Sequence, residues 1–262
     1  MSPQAEKPVK NLLCAFLFCL ALLVPRPTAG QQRKPAPSLP KLMSLADVID
    51  AESFSRTQWE LAGSEPEKYH AKTQVEAVAD LNAFIGKTVT RDERRGYMAE
   101  HALFVKYRQS LTELVSLSPR PLFYLETPIR FALKDNSVTL LLTTLGSNSV
   151  YNTLRLDAKQ RAAKEIEKTL LTAMKSFEFV KAAGIENFGV LGVYGSKDFS
   201  ESDESPKAEV VALVARIDRC MKLAHAQLSE EEFVDTADVY LVDRDMIGGL
   251  RKVKISLENK GK

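Results

Sequence analysis

Four side chains of reactive type crowd the end of one apolar run. In FGVLGVYGSKDF, Tyr194, Ser196, Lys197 and Asp198 offer a phenol, a hydroxyl, an amine and a carboxylate within a few positions of each other. Loops at strand ends are where binding and catalytic groups gather, because the strand fixes their origin while the loop leaves them open to solvent. Tyr194, Lys197 and Asp198 are therefore candidate binding residues, although a solvated strand edge accounts for the same letters. Further on, Asp243-x-Asp245 follows the apolar VYLV, and two carboxylates so spaced can face a hard cation. A polar turn explains that pair equally well, so Asp243 is kept as a binding candidate and no metal site is assigned.

Other chemistries find less material. The histidines are His70, His101 and His225, and no two lie at metal-ligand spacing. His101 has Glu100 beside it, but neighbours on a helix point about 100° apart and do not form a pair. Neither G-x-S-x-G nor S-x-x-K occurs in a suitable context for a serine nucleophile. Gly189, Gly192 and Gly195 are spaced as G-x-x-G-x-x-G, but they lie inside a strand pattern, and Ser196-Lys197 follows them rather than Lys-Ser/Thr. That is not a phosphate loop. Glycines within a strand mark close approach of a neighbour or a bulge. No cofactor and no catalytic residue is assigned from these letters.

The elements that must position the candidate groups centre on Leu156 to Phe199. From Asp157 to Ala183, the residues Ala162, Ile166, Leu170, Ala173, Met174, Phe177 and Val180 recur three or four apart, with Lys159, Arg161, Lys164, Glu167, Lys168, Lys175 and Glu178 between them. This is a helix with one core-facing stripe. Asp157 suits its N-cap and Gly184 its C-terminal stop. Phe188, Val190, Leu191, Val193 and Tyr194 then form a strand rich in β-branched and aromatic residues.

Before this stretch, Leu45 to Ala62 carries a short helical pattern containing Trp59, the single tryptophan, expected to anchor packing. A helix beginning near Ser64-Pro66 runs to Gly86, and another, with Thr90 and Glu93 at capping-box spacing, continues through His101 and Leu114. They are expected to form an antiparallel helical pair. LFYLETPIRFAL and SVTLLLTTL flank Lys134-Asp135-Asn136 and read as a hairpin whose first strand Pro128 makes an edge or bent one. GSNSVYN is a linking loop.

After it, the acidic SESDESPK is a solvated loop. AEVVALVARID fits a helix through Val210, Leu213, Val214, Ile217 and Met221, and a strand through Val211, Leu213, Ala215 and Ile217. The strand is favoured because Asp218 and Ser229 can each cap a short helix, Ser229 with Glu232 at capping-box spacing. Such a strand closes a hairpin with FGVLGVYG. Two further strands lie around Gly248-Gly249. The fold class expected is α+β, an antiparallel sheet of β-hairpins packed against long amphipathic helices with an N-terminal helical pair. Residues 43–262 form one globular domain, helical over 43–118 and sheet-containing over 119–258.

The amino terminus has another role. Lys7 and Lys10 precede an apolar core from Leu12 to Val24, and Thr28-Ala29-Gly30 supplies small residues: the three-part layout of a secretory signal over residues 1–30. The core is shorter than the roughly 20 residues a membrane-spanning helix needs. Cleavage after Ala29 or Gly30 leaves a proline-rich linker over 31–42 and no transmembrane segment. It removes Cys14 and Cys19, so that Cys220 alone remains, without an intrachain disulfide and at an apolar position suited to packing. Export by the Sec route without disulfides fits a periplasm or other extracellular space. It also removes Lys7, Lys10 and Arg26 against Glu6, leaving 33 basic and 33 acidic residues of the original 36 and 34. A balanced surface lacks the basic face that nucleic acid requires, and nucleic acid is not an expected partner.

Together these features point to an exported accessory or binding protein with a protein or small-molecule partner. The alternative is a periplasmic hydrolase using Lys197, Asp198 and Asp243. A third possibility is an envelope-assembly component tethered by its proline-rich arm.

Overall fold

A computed structural model describes residues 41–61, 74–86, 95–117, 129–143, 149–175, 185–201, 206–242 and 249–257. The chain divides into two units, Met1–Leu39 and Pro40–Lys262, and every described residue lies in the second. The signal segment, the linker up to Pro40, the helix starts near Ser64 and Thr90, the stop at Gly184, the Trp59 side chain and Asp243 all lie outside the described residues.

The fold is α+β, built on a seven-stranded, mostly antiparallel sheet. Its strands are β1 (Ile129–Lys134), β2 (Ser137–Thr143), β3 (Val150–Asn152), β4 (Asn187–Lys197), β5 (Lys207–Arg216), β6 (Asp238–Val242) and β7 (Leu250–Val253). They lie in the order β1-β2-β4-β5-β6-β7, with β3 beside the far end of β4. The helices are α1 (Leu45–Leu61), α2 (Gln74–Gly86), α3 (Arg95–Lys106), α4 (Arg108–Leu117), α5 (Ala158–Glu165), α6 (Leu171–Met174), α7 (Ile217–Ala224) and α8 (Glu230–Thr236). A π-helical turn, Ile166–Leu170, joins α5 to α6.

The hairpin expected around Asp135-Asn136 is β1–β2, with Lys134 paired to Ser137. Asp135 and Asn136 both have positive φ, 50° and 64°. A two-residue hairpin loop needs that left-handed pair to match the strand twist, and Asp and Asn tolerate it best after glycine. AEVVALVARID is a strand, β5, antiparallel to β4 from Asn187↔Arg216 to Ser196↔Lys207. β6 and β7 supply the two final strands.

Several expectations need correction. The sheet is not wholly antiparallel, because β4 runs parallel to both β2 and β3. The chain returns from β2 to β4 through a helical crossover, which brings a strand back in the same direction. Part of the GSNSVYN linker is not loop but β3, whose short extent hides its alternation. The helix after Thr90 breaks at Tyr107 into α3 and α4. The N-cap of α7 is Arg216 rather than Asp218, which sits in the first turn and accepts from Arg216 Nε at 3.1 Å. Asp157 caps α5 as expected, with Gln160 completing a capping box, and the Ser229–Glu232 capping box forms as its spacing requires.

β1 sits at one end of the strand order, yet its outward donors are closed. Phe131 N–H donates to Glu100 Oε1 at 2.8 Å and Leu133 N–H to the Met43 carbonyl at 2.8 Å. Arg130 grips both Glu100 oxygens, at 2.8 and 3.1 Å, and Glu52 at 2.5 Å, so α1 and α3 are tied to this edge. Satisfying the donors of an edge strand removes a template for pairing with another chain.

β4 is the centre. Phe188, Val190 and Tyr194 face one apolar cluster with Ile166, Leu170, Leu213 and Phe233. Leu191 and Val193 face a second with Leu45, Val48 and Ile49 of α1. Among the described residues the strand glycines are all in β4, and at Gly192 the reason is close approach: a Cβ there would lie 2.6 Å from Leu170 Cδ1. The π turn delivers that leucine. Residues four apart drift by about 40° around an α-helix, so Ala162, Ile166 and Leu170 would leave the core face. The Leu171 N–H instead bonds the Ile166 carbonyl, and the wider turn takes up the drift.

Gly192→Ala is expected to destabilise the protein by about 1–3 kcal/mol through overpacking. Because the clash is with one leucine, adding Leu170→Ala should cost less in the Gly192→Ala background than alone. Urea unfolding midpoints of both single variants and the double variant measure this coupling; additive effects would show that Leu170 is not what excludes a Cβ.

Candidate functional site

The far half of β4 carries a buried polar cluster into the apolar core. Glu209 lies on β5 directly across from Tyr194 and in phase with Val211, Leu213 and Ala215, so its carboxylate enters the helix-covered side of the sheet. It is met there by Arg161 of α5. Arg161 Nε donates to Glu209 Oε2 at 3.0 Å, Nη2 donates to Oε1, and Nη1 donates to the Leu156 carbonyl at 2.6 Å. The Asp157–Gln160 capping box fixes the first turn of α5 and with it the origin of this guanidinium. Tyr194, directly across the strand pair from Glu209, sets its phenol beside the same carboxylate.

A second layer adjoins the first. The Tyr151 hydroxyl of β3 donates to Glu165 Oε2 at 3.2 Å, and its ring stands edge-on to Tyr194 with centroids 5.5 Å apart. Glu165 is fully buried at the last residue of α5, just before the π turn. Lys168 Nζ, inside that turn, reaches Ser149 Oγ at 2.5 Å. The end of α5 with its irregular turn and the segment around β3 thus share polar contacts.

The electrostatics follow from burial. Removing Tyr194 from water raises its phenol well above the ordinary range, and the adjacent Glu209 carboxylate raises it further. Burial works against the charge of Arg161, but the hydrogen bonds and attraction of Glu209 outweigh it and hold the guanidinium above its ordinary value. Each charge in this layer is matched inside the fold. Breaking such a pair by removing one partner leaves the other buried and uncompensated, at a cost of about 3–5 kcal/mol.

Of the described residues singled out from sequence, Tyr194 alone is placed in this cluster. Strand alternation turns Lys197 to the opposite face from Tyr194, and its carbonyl accepts the Thr153 N–H at 3.0 Å. Asp198 begins a surface turn, accepting from Ser200 N at 2.8 Å and Ser200 Oγ at 2.6 Å. Those bonds, the side-chain one foremost, hold its carboxyl below the ordinary aspartate range. Lys197 and Asp198 are therefore not gathered with Tyr194. His101 is half-buried and His225 exposed at the end of α7. Cys220 is buried, as its apolar position implied, and burial pushes its thiol up to about 12.

Tyr151, Arg161, Glu165 and Glu209 belong to no motif that marks them in the sequence. In sequence Arg161 falls among the charges between the apolar residues of its helix; the structure buries it because the strand beneath offers a carboxylate. The available signal was Glu209, an acidic residue in phase with the apolar face of its own strand.

Among the described residues, no group of three or more His, Cys, Asp or Glu is placed to hold a metal ion, and no helix is long and apolar enough to cross a membrane. Comparison with known proteins finds no family model, no curated protein and no solved structure that matches the chain.

A phenol whose folded pKa is raised contributes stability that is fully present below its unfolded pKa of about 10 and is lost as pH rises toward the folded value. Tyr194 is therefore expected to ionise only when the protein unfolds in alkali. Ultraviolet titration of tyrosinate should show that Tyr194→Phe removes one late-appearing phenolate from those of the seven tyrosines. Loss of a phenolate that titrates near 10 before unfolding would contradict its burial against Glu209.

Proposed function

We propose that the protein is an exported, non-catalytic accessory or binding protein, periplasmic or extracellular, that holds a protein or small-molecule partner. The basic, apolar and small-residue sequence of the first 30 residues supports export. The observation that carries the binding role is the internal pairing of the cluster at the end of β4: Glu209 is held by Arg161, and Glu165 accepts from Tyr151. A general acid or base must be free to exchange its proton with a substrate, and a nucleophile must have a base within reach. Here the acids are engaged by the protein's own donors, and Asp198 is engaged by its own turn. Such groups brace a surface rather than work on a substrate.

A hydrolase is the second reading. In its favour stands the π turn beside the buried Glu165, since π turns inside helices recur at functional sites.

The two separate in a thermal-shift screen of the protein, as purified from its expressing cells, against divalent metals, sugars, peptidoglycan fragments, lipids and nucleotides. A ligand that binds only the folded state raises the melting temperature, by about 2.7 kcal/mol of stabilisation at a hundred times its Kd. The binding role predicts a reproducible shift with a ligand that mass spectrometry recovers unchanged. Conversion of that ligand, abolished by Glu165→Gln or Asp198→Asn, would overturn it in favour of the hydrolase.

A further inference from the structure

On its solvent side, α5 faces the extended segment that follows β7, and a cleft of about 120 Å³ opens between them. Its floor is apolar: Ile255 is buried in the main core, and Ala163 and Leu257 pack against that core. Its rim is basic, with Lys159, Lys164 and Lys254 lining the cleft against the single carboxylate of Glu167. Along the helix, Lys159 and Lys164 stand about 140° apart at roughly 100° per residue, with Ala163 and Glu167 between them. The two ammonium groups therefore flank the opening. Both are exposed, and neither has an ion-pair partner among the described residues. Lys254 is positioned by its bond to the Asp235 carbonyl at 3.2 Å, a neutral acceptor that leaves its charge uncompensated.

Size and charge together restrict the ligand. A cleft of about 120 Å³ is far below the roughly 300 Å³ at which pockets begin to enclose a drug-sized molecule. It accommodates a headgroup rather than a molecular body. The excess of two positive charges over an apolar floor favours an anion, because attraction strengthens where low-dielectric walls displace water. We propose that this cleft is a binding site for a compact small-molecule polyanion, whose carboxylate or phosphoryl group sits between Lys159 and Lys164 with Lys254 at its end. Glu167 limits the affinity and makes the site selective for ligands with more than one negative charge. The inference deepens the binding role proposed above and rests on it for its purpose, but the site itself is defined independently of the β4 cluster.

The test is calorimetric titration of the purified protein with citrate and, separately, with inorganic pyrophosphate, at about 50 and about 200 mM salt. Saturable binding at one site is expected, weakened by the higher salt. The double variant Lys159→Ala/Lys164→Ala should weaken it about tenfold, as two exposed charge contacts imply, with no change in unfolding midpoint. Glu167→Gln should tighten it severalfold by removing a like charge, an effect that a merely structural glutamate would not produce. Binding of citrate alone would assign carboxylates, binding of pyrophosphate alone would assign phosphoryl groups, and binding of both would assign charge recognition. Absence of binding by either, or binding indifferent to the lysines and to Glu167, overturns the proposal. If a ligand of another class still raises the melting temperature, the binding role survives that outcome.

Discussion

β4 is buried on both faces, and most of the architecture answers that constraint. A strand with Phe188 and Val190 on one side and Leu191 and Val193 on the other must be covered twice. Burying each such side chain fully stabilises the fold by about 1.5–3 kcal/mol, but only if a complementary surface exists above and below the sheet. The crossover through α5, the π turn and α6 supplies one surface. The first turns of α1, through Leu45, Val48 and Ile49, supply the other. The same crossover makes β4 parallel to β2, so the mixed topology and the two-sided core are one solution. Gly192 belongs to it as well, since a Cβ there would displace the leucine that the π turn brings down.

The polar cluster has to be understood inside that core. Glu209 and Arg161 are both largely withdrawn from water, and a buried ion pair seldom adds net stability over apolar residues of the same shape. What the pair does add is a condition on geometry. α5 lies on the sheet in the register that sets Arg161 over Glu209, and β3 lies where Tyr151 meets both Glu165 and the Tyr194 ring. The network thus specifies where the crossover sits, while the apolar contacts supply the energy. At the opposite edge of the sheet, Arg130, Glu100 and Glu52 fix α1 and α3 against β1 in the same manner.

Elements governed by local rules were legible in the residues themselves. The N-cap at Asp157, the capping box at Ser229–Glu232 and the turn at Lys134-Asp135-Asn136 encode their conformations within a few positions, and each forms, whereas AEVVALVARID fits helix and strand alike and is settled as a strand by its pairing with β4. What escaped depended on distant partners. Val150–Asn152 is a strand only because Gly195–Lys197 lies beside it, and Arg161 is buried only because Glu209 arrives from 48 residues away. The candidate site shows the same limit. Tyr194 is marked in the sequence by its place at a strand end, yet the residues around it come from β3, α5 and β5 and share no sequence motif. Lys197 and Asp198, adjacent to it in sequence, are turned away by the alternation of the strand and by the Ser200 turn.

If β4 is the element on which the others depend, its amides should be the last to open. Native-state hydrogen exchange measures this directly, because core elements exchange only through global unfolding whereas edges open at lower free energy. Amides of β4 and β5 between Val190 and Val193 and between Leu213 and Ala215 are expected to exchange at the global unfolding free energy, and those of β7 well below it. Exchange of β4 at a lower free energy than β6 and β7 would contradict the account, because the sheet would then be anchored from its edge rather than from its centre.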